Sequence, residues 1–181
     1  RPANHGGGAQ PLRAPRDTVP GCTVATCTTV EAPRLTDEGR FNWVRAACEA
    51  VTIPVIAGAR TNATLHSIEM TKAAKDVGAA GILAVTPYYN RPSQSGLYGH
   101  FMAIANATDL PVILYDIPLR SGRKLANETF LQLVADAPKI LANKAPAKDP
   151  SSTALLRRHT PAALAVVSVA PSPPPPVLSN W

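Results

Sequence analysis

Lys144 closes the apolar run Ile140-Leu141-Ala142-Asn143. A lysine at the end of an apolar strand can project into a partly desolvated cavity, where an uncharged amine attacks ketones to form a Schiff base. Tyr115 ends a second apolar run and is followed by Asp116-Ile117-Pro118, with Arg120 five residues beyond the phenol. A phenol at a strand end can relay protons, and a guanidinium can grip a carboxylate through its fork. A plain surface arginine fits Arg120 as well. Tyr88 and Tyr89 lie between Pro87 and Pro92, in a stretch that reads as a loop rather than as helix. They suit proton relay, and equally an aromatic packing patch or a subunit contact. Thr28 and Thr29 follow the run that ends at Cys27. Adjacent hydroxyls and backbone N–H groups can hold a carboxylate there, or cap a helix.

The elements that must position these residues alternate between short apolar runs and longer stretches of helical period, the pattern of repeated βα units on a parallel sheet. Strands are expected at Thr23 to Cys27, Pro54 to Ala57, Gly81 to Thr86, Pro111 to Tyr115, Ile140 to Lys144 and Leu164 to Val169. These runs are apolar throughout, as expected when helices cover one side and a barrel interior fills the other. Helices are expected at Thr36 to Val51, Thr64 to Val77, Ser93 to Thr108 and Asn127 to Ala135, with a poorer candidate at Ser152 to His159. Thr36 before Asp37-Glu38 is a cap signal, and Ser93 is another. Strand starts recur roughly every 24 to 31 residues, the pitch of one βα unit. The fold class is therefore α/β, an incomplete (β/α)8 barrel of about six units.

The expected organisation is an irregular segment over residues 1–21, a partial barrel over 22–169 and a proline-rich tail over 170–181. The first contains Gly6-Gly7-Gly8 and the last Pro173 to Pro176. A chain of 181 residues with 45% apolar content is long enough for one domain with a sizeable core. Its net charge of +6 favours anionic ligands. The basic residues are scattered, without the stripe or interleaved aromatics of a nucleic-acid binder, so no nucleic-acid partner is expected. Cys22, Cys27 and Cys48 are an odd count without a C-x-x-C pair, which points to reduced thiols and to neither a disulfide framework nor a zinc site. No apolar run is long enough to span a membrane and no signal-peptide order opens the chain, so a cytoplasmic location is expected.

The order and separation of these clusters resemble the dihydrodipicolinate synthase and N-acetylneuraminate lyase family of class I aldolases. The similarity runs from about Thr23 to Ser168. It is strongest in Gly81-Ile-Leu-Ala-Val-Thr-Pro-Tyr-Tyr-Asn-Arg-Pro-Ser-Gln94 with Gly96-Leu97-Tyr98, then in Asp109-Leu-Pro-Val-Ile-Leu-Tyr-Asp-Ile-Pro118 and Arg120. Pro54-Val-Ile-Ala-Gly58 and Asn62-Ala-Thr64 also match, and Pro118-x-Arg120-x-Gly122 resembles the dihydrodipicolinate synthase branch.

The resemblance implies that Lys144 forms a Schiff base with pyruvate, without a cofactor or metal, and that Tyr115, Thr28 and Tyr89 form a proton relay. It further implies that Thr28 and Thr29 hold the pyruvate carboxylate and that Arg120 receives the carboxylate of aspartate semialdehyde. The implied activity is the condensation that leads to lysine and diaminopimelate. One tyrosine of the Tyr88-Tyr89 pair would reach into a neighbouring subunit, which implies a homo-oligomer. Three stretches depart from the family pattern. Its Gly-Thr-Thr-Gly-Glu reads Cys27-Thr28-Thr29-Val30-Glu31, and valine strains a backbone that needs positive φ. Its Gly-apolar-Lys-acid reads Ala142-Asn143-Lys144-Ala145, and its Ser-Gly-acid-Asp turn reads Ser168-Val169-Ala170-Pro171. The alternatives are a shortened, inactive remnant of the family and a related lyase with another 2-oxo acid or aldehyde.

Overall fold

The computed structural model describes residues 22–25, 36–59, 61–146 and 165–169, with residues 145–146 and 165–169 as backbone. Six strands form one sheet: β1 Thr23–Ala25, β2 Val55–Ala59, β3 Gly81–Val85, β4 Val112–Tyr115, β5 Ile140–Pro146 and β6 Ala165–Val169. Their spatial order is β1-β2-β3-β4-β5-β6 and every neighbouring pair is parallel. A doubly wound sheet would reverse direction at a switch point, whereas stepwise addition of adjacent strands makes the wall of a (β/α) barrel. All six expected strands form. The connecting helices are α1 Asp37–Ala50, α2 Thr64–Asp76, α3 Gln94–Asn106, α4 Pro118–Ser121 and α5 Asn127–Asp136. The candidate helix at Ser152 to His159 lies outside the described residues.

Local chemistry accounts for the helix starts. The Thr36 hydroxyl accepts from the Gly39 N–H at 3.2 Å, with Asp37 and Glu38 in the first turn, and the Ser93 hydroxyl accepts from the Gly96 N–H at 3.2 Å. Each satisfies one otherwise unpaired donor. On α3, Leu97, Phe101 and Ile104 repeat at helical spacing and are wholly buried. At its other end, the Lys139 ammonium donates to the carbonyls of Ala105 (3.2 Å) and Thr108 (2.6 Å), a cation on a helix C-terminus that ties α3 to the start of β5.

The short α4 was not anticipated. Pro118 supplies its first turn and Gly122, at φ +71°, ends it in the left-handed region. Gly122 also leaves room for Arg91, because a Cβ there would fall 2.7 Å from the arginine Nε.

Every residue of β2 and β3 is buried, as the apolar runs required. The strand β4 instead alternates, with Val112 and Leu114 buried and Ile113 and Tyr115 half-buried. Its second face lines the inner side of the wall, which the described residues cover only in part. No helix among the described residues is long and apolar enough to cross a membrane.

Candidate active site

A register shift places the central pair. Val112 lies opposite Ile140, but Ile113 lies opposite Ala142, so Leu141 is an extra residue in β5. Without it the regular count would set Asn143 opposite Tyr115. With it, Lys144 falls opposite Tyr115 and Asn143 opposite Leu114. Because strand side chains alternate, this one-residue slip also decides which face each presents. Lys144 joins Tyr115 on the inner face, its Nζ 4.4 Å from the centroid of the phenol ring, within the range of a cation–π contact. Asn143 is turned to the buried side with Leu114, and its Oδ1 has no hydrogen-bond partner among the described residues.

The backbone beneath Tyr115 is fixed from both sides. Its carbonyl accepts from the Thr86 N–H (3.0 Å) and hydroxyl (3.2 Å), and the next N–H, of Asp116, donates to the Lys144 carbonyl at 3.1 Å. An amine and a phenol on adjacent strand ends are thus held together by β3, β4 and β5.

The remaining candidates lie on the rim. Tyr89 stands on the loop after β3, 91% exposed and at φ +74°, and Arg91 follows at φ +43°. Two non-glycine residues in the left-handed region store strain of the kind found at functional loops. Arg120 is exposed in the last turn of α4. The structure therefore brings Lys144 and Tyr115 together and leaves Tyr89 and Arg120 on separate rim loops. Thr28, Thr29 and Val30 lie outside the described residues.

Sequence reasoning assigned no role to Asp116. It is only 4% exposed, and its Oδ1 accepts from the Leu125 N–H at 3.3 Å. Burial pushes its carboxyl up to about 6, against the opposing pull of the Leu125 N–H, the Lys124 charge and the Thr86 hydroxyl. The available signal was an acid placed directly after an apolar strand.

His100 is buried between α2 and α3. Its Nδ1 lies 2.9 Å from the Thr64 hydroxyl, and its Nε2 has no partner among the described residues. Burial pulls its pKa down to about 4. The two groups act oppositely on stability. Between pH 6.5 and 4 the unfolded histidine binds a proton that the folded one resists, so its contribution is lost as pH falls. Between pH 3.8 and 6 the folded aspartate holds a proton that the unfolded one has released, so its contribution is lost as pH rises. Each effect is worth about 3 kcal/mol when complete, and they offset one another across pH 4 to 6. Thermal melts should show His100→Gln becoming more stable as pH falls from 6 to 4.5, and Asp116→Asn becoming less stable. Parallel pH trends in the two variants would refute the assignment.

A parallel βα wall with an amine and a phenol at adjacent strand ends has the architecture of a barrel of the kind that builds sites at the C-terminal mouth. The dihydrodipicolinate synthetase family model matches residues 19–169, and the chain belongs to that family. It is 55% identical over 119 residues to 4-hydroxy-tetrahydrodipicolinate synthase 2 of Streptomyces coelicolor, covering 65% of this chain and 40% of that protein. The crystal structure of dihydrodipicolinate synthase from Aquifex aeolicus superimposes with a TM-score of 0.79 at 34% identity, over 82% of this chain and 51% of the other. The chloride-inhibited dihydrodipicolinate synthase from Acinetobacter baumannii, solved in complex with pyruvate, gives a TM-score of 0.77 at 42% identity, again over 82% and 51%. The chain spans about half the length of the relatives it matches.

Proposed function

We propose that this chain carries the pyruvate-binding part of a Schiff-base lyase of the 4-hydroxy-tetrahydrodipicolinate synthase type. The observation that carries this reading is the Lys144 amine over the ring of Tyr115 at adjacent strand ends. The amine adds to the pyruvate ketone and water leaves, giving an imine on Nζ. Loss of a proton from the pyruvate methyl gives an enamine, which attacks the aldehyde of aspartate semialdehyde. Tyr115, with Thr28 and Tyr89, supplies and removes the protons. Thr28 and Thr29 hold the pyruvate carboxylate, and Arg120 receives the second carboxylate through its fork. The imine replaces any need for a cofactor or metal.

The barrel domain in this reading covers residues 22–169. The solvent-exposed, strained Tyr89 fits a residue that completes its surroundings on a second copy, so the working form is at least a dimer. Cys22 and Cys48 are free, which suits a cytoplasmic protein.

Incubating the purified chain with pyruvate and borohydride, followed by peptide mass analysis, tests the proposal. Reduction traps the imine, and the adduct is expected on Lys144. A folded chain that remains unlabelled removes the catalytic reading and leaves family membership standing.

A further inference from the structure

The chain between β4 and α5 carries Arg120 and leaves the sheet directly after Tyr115, so its path decides where the guanidinium can stand. Its far end is held at three successive residues. The Lys124 carbonyl accepts from Gln94 Nε2 at 2.9 Å, the Leu125 N–H donates to Asp116 Oδ1 at 3.3 Å, and the Ala126 N–H donates to Gln94 Oε1 at 3.0 Å. Gln94 Oε1 also accepts from the Thr129 hydroxyl at 3.0 Å. The helix α5 has no capping side chain of its own at Ala126, so Gln94 caps it from the first residue of α3. Within the loop, the buried Ser121 hydroxyl lies 3.0 Å from the Ile117 carbonyl and 2.8 Å from that of Arg123, which fixes the α4 turn.

We infer that Asp116 and Gln94 are positioning residues, a two-sided clamp on residues 124–126 that holds the Arg120-bearing turn beside the Tyr115–Lys144 pair. Asp116 is well placed for this, since its N–H is bonded to the Lys144 carbonyl while its side chain reaches the other end of the loop. One residue therefore connects the strand that bears the amine to the segment that closes the arginine turn. The consequence for substrate rests on the function proposed above: the clamp serves recognition of the second, carboxylate-bearing substrate and leaves imine formation alone.

The test compares backbone amide hydrogen exchange by NMR in the wild-type chain with Asp116→Asn, Asp116→Leu and Gln94→Met. Asparagine keeps the acceptor oxygen, whereas leucine removes it at similar volume. Exchange at Leu125 should accelerate about tenfold or more in Asp116→Leu and stay near wild type in Asp116→Asn. Exchange at Ala126 should accelerate in Gln94→Met, and Phe101 in α3 should be unchanged in all. Unchanged exchange at Leu125 and Ala126 in the leucine and methionine variants overturns the clamp.

The same proteins are then assayed with pyruvate and aspartate semialdehyde. Asp116→Leu and Gln94→Met should raise KM for the aldehyde about tenfold with a smaller change in kcat, Asp116→Asn should restore it, and borohydride labelling of Lys144 should persist throughout. Accelerated exchange with an unaltered KM overturns the positioning role. A wild-type chain that takes up no pyruvate overturns the proposed function instead, and the exchange result still decides the clamp.

Discussion

Replacing Lys144 with arginine is expected to abolish the borohydride-trapped pyruvate adduct while leaving the fold in place. The guanidinium keeps a positive charge and a long stem, so it can remain over the Tyr115 ring that now lies 4.4 Å from the amine. It stays protonated at all working pH values and has no lone pair to add to a ketone. Labelling and any turnover should fall by roughly 10³-fold or more, as when a covalent nucleophile is removed. Stability should change by less than about 1 kcal/mol, because the residue is only half-buried. Intact-mass spectra before and after reduction, with a melting curve, separate the two effects. Persistent labelling of the variant would place the reactive amine on another lysine.

Phe101→Ala carries the largest expected effect on stability. The ring is fully buried on α3 and belongs to the core shared by β2, β3, β4 and the neighbouring helices. Truncating a buried phenylalanine costs about 3–5 kcal/mol, against a total stability of about 5–15 kcal/mol for a typical domain. The melting temperature should drop by roughly 10 °C or more. Leu65→Ala is the control, since Leu65 projects from α2 into solvent and should shift stability by less than about 0.5 kcal/mol. Equal melting curves for the two variants would show that the core lies elsewhere.

Much of this fold was legible because it is built from local signals. Apolar runs marked all six strands, and the hydroxyls of Thr36 and Ser93 marked two helix starts to the residue. Pairing geometry was not legible, because it depends on neighbouring strands. Lys144 and Tyr115 could each be placed at a strand end, but their opposition depends on the extra Leu141, and nothing in that apolar run distinguishes Leu141 from its neighbours. The turn α4 escaped notice because four residues are too few for a helical period, although its Pro118 and Gly122 boundaries were readable. The left-handed backbone at Tyr89 and Arg91 was also hidden, since neither residue favours it. Asp116 and Gln94 appeared only as letters in matching motifs. Their role emerges once chain ends 9 and 32 residues apart are brought together.

The strict sequential order of the strands bears on how the chain acquires its structure. Each strand pairs with the one made just before it; the described connections run through α1, α2 and α3 in turn and, between β4 and β5, through α4 and α5. Each such pairing closes a segment of about one βα unit, so its loop-closure cost is smaller than that of pairing strands from distant parts of the chain. On a ribosome, β2 can find β1 while β4 is still unmade, and each emerging unit extends an existing template. The six described strands would then join the wall in the order of translation.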